Sequence, residues 1–233
     1  MERHERYRDQ YVVAALLVVL TMIMIAVSGT SPWLRLLALV VEGGTLLFIL
    51  WASAVRQPTF VLAALLVVAA IGVAGISVIR GGAFSDEALA TVGVLLALSA
   101  PVAIVRRLLA EVRITASTVA GALCVYLLAG LLFSYVFGLL DATDHGHFFV
   151  QVTHPPSVDY LYFSLVTLTT VGYGDYTAGG SLGRMLAVTE ALAGQLYLVS
   201  VVAVLVSNIG RERAPRHPDK RGGAPGQDSA GQA

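Results

Sequence analysis

The sequence has few charges. Only 13% of its 233 residues are Asp, Glu, Lys or Arg, whereas a soluble domain carries about 25%. So little charge cannot cover a water-facing surface. A single cysteine, Cys124, excludes a disulfide scaffold. There is one lysine, Lys220, against fourteen arginines. No nucleophile–base pair, metal cluster or phosphate loop stands out, so an enzyme is not expected. Nothing marks a nucleic-acid surface, since the formal net charge is zero. What is present is apolar: 57% of the residues, with a mean hydropathy of +0.78. That excludes disorder for most of the chain and indicates a multi-span membrane protein.

A spanning helix needs about 20 mostly apolar residues. Six segments qualify, at 11–28, 34–55, 59–79, 88–105, 115–140 and 182–209. The breaks carry turn chemistry, from Gly29 to Pro32, Arg56 to Pro58 and Arg80 to Asp86. A shorter patch, 158–171, is too short to cross and reads as re-entrant. The expected fold class is therefore an all-α membrane protein, with six transmembrane helices and a re-entrant element between helices 5 and 6. The head, 1–10, mixes acids with arginines and no small-x-small site follows the first run, so that helix is expected to be retained. Residues 211–233 are rich in Arg, Pro, Gly and Gln, and read as a disordered tail.

Basic residues orient the chain. With both termini inside, Arg3, Arg6, Arg8, Arg56, Arg106, Arg107, Arg113, Arg211, Arg213, Arg216, Lys220 and Arg221 fall on the cytoplasmic side. Arg35, Arg80 and Arg184 fall outside. Twelve against three favours cytoplasmic termini. The outer side then collects Asp86, Glu87, Asp141, Asp144, Asp159 and Asp175, which would concentrate cations. The basic start of the tail would attract anionic lipids, although an ordinary positive-inside flank explains it as well. The Arg-rich, Ala- and Gly-rich composition suggests a bacterial plasma membrane.

The re-entrant patch ends in Thr169-Thr170-Val171-Gly172-Tyr173-Gly174-Asp175. This resembles the selectivity filter of potassium channels. A dehydrated cation in a low-dielectric membrane needs replacement oxygens. An extended loop supplies them if its carbonyls face one axis, and Gly172 and Gly174 permit the required angles. The resemblance implies that the carbonyls of Thr170, Val171, Gly172 and Tyr173, with the Thr170 hydroxyl, coordinate potassium. Val171 and Tyr173 would point backwards. Potassium is then the permeant ligand, no cofactor is implied, and four chains must meet as a homotetramer.

The preceding helix is expected from about Val158 to Thr169, with Ser157 as its N-cap and its C-terminal dipole aimed at the pore axis. Many channels of the family place a carboxylate behind the filter. The matching position here is Val166, so Asp175 lacks that partner; an aromatic donor from the pore helix often contacts the aspartate in the family, the match is Tyr162, and the resemblance therefore implies a Tyr162–Asp175 hydrogen bond. By the same resemblance, Gly194 in the last span is a hinge candidate, with close helix packing the equal alternative. Gln195, Leu198 and Val202 are candidates for the pore lining.

Two acids lie within spans, Glu42 and Glu190. Such acids are functional candidates by default. Glu190 could bias cations or, by slight preference, brace the pore helix. Glu42 could be a packed, hydrogen-bonded acid. His145, His147 and His154 fall in one loop whose titration range suits a pH sensor, although an ordinary polar loop accounts for them. Cys124 reads as a small buried hydrophobe.

Six spans also match voltage-gated channels, but the fourth span, 89–105, has no basic residue. Steep voltage gating is therefore not expected. The chain divides into a head (1–10), a four-helix region of unknown role (11–110), a pore domain (111–210) and a tail (211–233). The link Arg106 to Arg113 could couple the two helical parts. The leading reading is a passive potassium-selective channel. A cation-uptake subunit or a non-conducting membrane sensor are the alternatives, the first disfavoured because one filter loop is present and no repeat of it.

Overall fold

In lipid, an apolar chain must pair its backbone groups within itself, and a helix does so residue by residue. The computed structural model describes residues 2–29, 31–52, 57–80, 83–108, 116–143 and 147–213. Among them are seven helices: α1 (Glu2–Ser28), α2 (Pro32–Ala52), α3 (Gln57–Arg80), α4 (Ala83–Leu108), α5 (Ala116–Thr143), α6 (Ser157–Leu168) and α7 (Ser181–Arg213). The chain is an all-α membrane protein.

Four stretches are long and apolar enough to cross a membrane: Pro32–Leu50, Phe60–Arg80, Val119–Thr143 and Ser181–Val204. The described apolar stretches of α1 and α4 are shorter, Val12–Ser28 and Glu87–Ser99. Both helices nonetheless run 27 and 26 residues, or about 40 Å at about 1.5 Å per residue. α1 starts nine residues before the expected 11, because Glu, Arg and Gln are good helix formers and nothing there stops the helix. Pro32 and Pro58 sit in first turns, where a missing N–H costs little. His145, Asp144, the 109–113 part of the link and the tail beyond Arg213 lie outside the described residues.

α1, α2, α4 and α5 enclose a core that includes Val18, Leu39, Leu96, Leu128 and Leu131. α3 packs on α2 and α4 from outside. It approaches α2 at Gly43, where a Cβ would lie 2.8 Å from Val67. α1 also touches α6, so the first four helices reach the re-entrant element as well as α5.

A second, aromatic cluster holds the loop before α6. Phe148 and Phe149 insert among Phe137, Tyr160 and Phe163, with ring centroids 4.9–6.1 Å apart. Phe149 forms an antiparallel bridge with Ala178. Val150 N donates to Thr177 O at 3.1 Å and Gly179 N to Phe148 O at 2.8 Å. The segments entering and leaving the filter region are thereby tied to each other.

Candidate functional site: a re-entrant pore loop

α6 is twelve residues long, about 18 Å at 1.5 Å per residue, too short to cross. Its start differs from expectation. Pro156, in an extended conformation, occupies the N-cap and Ser157 is the first helical residue, with no side-chain cap bond. A proline that fixes its own φ and makes the preceding chain extended can set a helix start without a capping oxygen.

The far end of α6 turns directly into the filter segment. Thr169 N donates to Leu165 O, Thr170 N to Thr167 O, and both Val171 N (3.0 Å) and Gly172 N (3.3 Å) to Val166 O. Tyr126 Oη on α5 donates to Leu168 O at 3.1 Å. Each of the last four carbonyls of α6 thus has a partner, where helix ends usually leave them open. Val166 has no side chain to offer Asp175, yet its carbonyl anchors two filter amides.

Beyond that anchor, φ is positive at alternate residues: Thr170 (57°), Gly172 (56°) and Gly174 (79°). Alternation between left- and right-handed conformations turns successive carbonyls to one side of the chain. Around Gly172 and Gly174 a Cβ would meet nothing within 4 Å. Their glycines are required by backbone angle and not by space. Thr170 holds the same angle despite its branched Cβ, a strained conformation typical of functional loops. The side chains of Val171 and Tyr173 stand exposed in the single chain, 52% and 71%.

Asp175 accepts from Tyr162 Oη at 2.7 Å, the bond expected from the sequence. That bond, with some desolvation, pushes the Tyr162 phenol up to about 12. The neutral, donating phenol therefore persists above the ordinary value near 10 and is lost only as pH rises towards 12. Tyr176 Oη donates to Asp159 at 3.0 Å. Asp141 accepts from Tyr160 Oη (2.7 Å) and Phe148 N (2.6 Å). Three of the acids assigned to the acidic face are thus also structural acceptors.

Behind the filter, α7 meets α6 at two points. Glu190 is fully buried, and its Oε1 is hydrogen-bonded to Ser164 Oγ. Ser164 Oγ also donates to Gly130 O on α5 at 2.6 Å. One hydroxyl hydrogen cannot serve two acceptors, so both contacts are satisfied together only if the Glu190 carboxyl brings a second. The acid joins α5, α6 and α7. One turn on, Gly194 lies so close that a Cβ would be 2.5 Å from Leu168 O. Close packing accounts for this glycine directly. Gln195 Nε2 donates to Thr170 Oγ1 at 2.8 Å. Tyr197 Oη donates to Ala122 O at 2.6 Å and stacks on Tyr126 at 5.9 Å. Leu198 and Val202 are exposed in the single chain.

Glu42 lies far from this group in sequence and is buried on α2. Its Oε2 accepts from Tyr135 Oη on α5 at 2.9 Å. The Tyr135 ring lies against Gly93 of α4, where a Cβ would be 2.5 Å from it. His154 lines a cavity of about 310 Å³ with Arg35, Ser134, Tyr135, Asp141 and Tyr160. Its ring centroid is 6.0 Å from that of His147. Cys124 is buried in the main core.

The sequence singled out Tyr162, Asp175, Glu190, Gly194 and Gln195, and the structure gathers them around the filter. It missed Ser164, Tyr126, Tyr197, Gly130 and Tyr135. A serine in the middle of an apolar re-entrant helix was the one signal that could have pointed to Ser164.

A short helix thus stands between two long apolar helices and continues into a strained, glycine-bearing loop. Residues 121–211 match the model of a family described as "Ion channel". Over 87 residues the chain is 32% identical to two-pore potassium channel 3 of Arabidopsis thaliana, covering 37% of this chain and 18% of that one. Over 55 residues it is 46% identical to probable potassium channel protein 2 of Methanocaldococcus jannaschii, covering 21% of this chain and 16% of that one. No solved structure matches. The matched part of the chain is similar to these potassium channels, and the chain spans less than a fifth of the length of these relatives.

Proposed function

We propose that the chain is one subunit of a homotetrameric, potassium-selective channel that carries potassium passively across the plasma membrane. With six crossings both termini fall on one side, and the basic residues of the head and tail support the cytoplasmic side. The observation that carries the reading is the alternation of positive φ at Thr170, Gly172 and Gly174, on a loop anchored to Val166 O. Such a loop can present the carbonyls of Thr170, Val171, Gly172 and Tyr173 to a dehydrated cation. One chain supplies one wall, and four walls close the ring. The exposed apolar residues of α7, among them Leu196, Val199 and Val202, and the exposed Val171 and Tyr173 side chains support packing against further copies. Voltage does not act on α4 as on an arginine-bearing sensor, since its apolar run carries no basic residue.

The test is potassium flux from liposomes holding the purified chain. A potassium gradient should drive flux that barium blocks. Gly172→Ala should cut it at least about tenfold, because a residue with a Cβ resists φ of +56° even where space is open. An intact oligomer with no flux would instead favour the non-conducting sensor.

A further inference from the structure

Gly194 lets α7 approach the end of α6 at Leu168 O, and the next residue, Gln195, reaches the filter itself. Its Nε2 lies 2.8 Å from Thr170 Oγ1. Thr170 is the first filter residue with positive φ. A threonine hydroxyl has one hydrogen and two lone pairs, whereas an amide nitrogen can only donate. The Gln195 amide therefore occupies one of the two lone pairs that Thr170 could offer to a cation.

We propose that Gln195 sets the strength of the innermost cation site by holding one lone pair of each Thr170 hydroxyl away from the ion. This rests on the channel reading and extends it to a residue beyond the filter. An oxygen already accepting an N–H bond presents a weaker negative potential to an ion. A positive amide hydrogen close to the site adds repulsion that grows in proportion to the ion's charge. Conduction requires binding weak enough for the ion to leave. Gln195 is thus a positioning residue that loosens the site facing α7, and it does so most for a divalent ion.

Barium, a divalent cation close to potassium in size, is the probe. In Gln195→Met, which keeps the length and removes the donor, half-block should need about tenfold less barium, a factor equal to about one lost interaction of ordinary strength. Gln195→Leu, which also removes the donor and adds no charge, should shift block the same way. It also provides the reading should Gln195→Met not assemble. In a Thr170→Ala background the Gln195→Met shift should fall to within about twofold, since coupling through the hydroxyl is then gone.

Calorimetric binding of barium to the purified oligomer gives the same comparison without flux. Tighter binding in Gln195→Met that depends on Thr170 supports the inference, even if the wild type proves non-conducting and the channel reading fails. Unchanged block and binding in Gln195→Met, in a wild type that conducts, overturns the inference and leaves the channel reading standing. A shift of equal size in the Thr170→Ala background overturns it too.

Discussion

In α1–α4, the hydroxyls of Thr21, Ser28, Thr45, Ser77 and Ser99 donate to carbonyls three or four residues back on their own helices. In the pore half, local bonds such as Thr189 Oγ1 to Met185 O recur, but several polar side chains also reach across elements. Ser164 meets Gly130 and Glu190, Tyr126 meets Leu168, Tyr197 meets Ala122, and Gln195 meets Thr170. Both patterns satisfy polar groups in an apolar medium. Only the second fixes where one element sits relative to another. Among the described bonds of the four N-terminal helices, these hydroxyls stay local, and close approaches such as Gly43 on Val67 bring the helices together. The filter is placed by directed bonds. The Glu42–Tyr135 bond departs from the first pattern, and it joins the four-helix region to the pore's α5.

The largest effect is expected where a directed lattice meets a close approach. Gly194→Ala puts a Cβ 2.5 Å from Leu168 O, a backbone atom that cannot yield without moving the filter anchor. Overpacking of this kind costs about 1–3 kcal/mol. The melting temperature of the detergent-solubilised protein should fall, and potassium flux with it. Unchanged melting would show that α7 and α6 are less rigidly joined than the bonds around them imply.

Next comes the bond between the two regions. Tyr135→Phe removes the donor to Glu42 Oε2 and keeps the ring against Gly93. Interhelical bonds in membranes average about 0.6 kcal/mol, with a maximum of about 1.7. The cost should fall in that interval, and Glu42→Ala should add little to it in the double mutant. Independent, additive losses would show that the two side chains do not act through each other.

The smallest effect belongs to the local bonds. Thr45→Val keeps the shape and removes a bond to Val41 O on the same helix. Its cost should stay within about 0.5 kcal/mol. A loss as large as that of Tyr135→Phe would erase the distinction between the two regions.

What could be read in the sequence follows the same division. The positive-φ loop was legible because its signal is local: glycines at alternate positions, at the end of a short apolar helix between two spans. The Tyr162–Asp175 bond was legible only through the resemblance, which matches Tyr162 to an aromatic donor of the family. The directed bonds between elements were not. Tyr135 and Glu42 are separated by 93 residues, and Tyr197 and Ala122 by 75, with no local pattern to join them. The six long helices were legible from apolar runs, four of them as stretches long enough to cross, but not the start of α1, since charge marks a membrane boundary without ending a helix. Ser157 was read as an N-cap, and Pro156 took that place by backbone geometry.

The proposed potassium selectivity rests on the anchored, alternating loop at Thr170–Gly174. The most direct measurement is the reversal potential of the reconstituted chain with potassium on one side and sodium on the other. A strongly potassium-weighted potential, lost in Gly172→Ala where conduction remains, is the predicted result. A potential near zero in the wild type, with sodium and potassium equally permeant, would contradict the account.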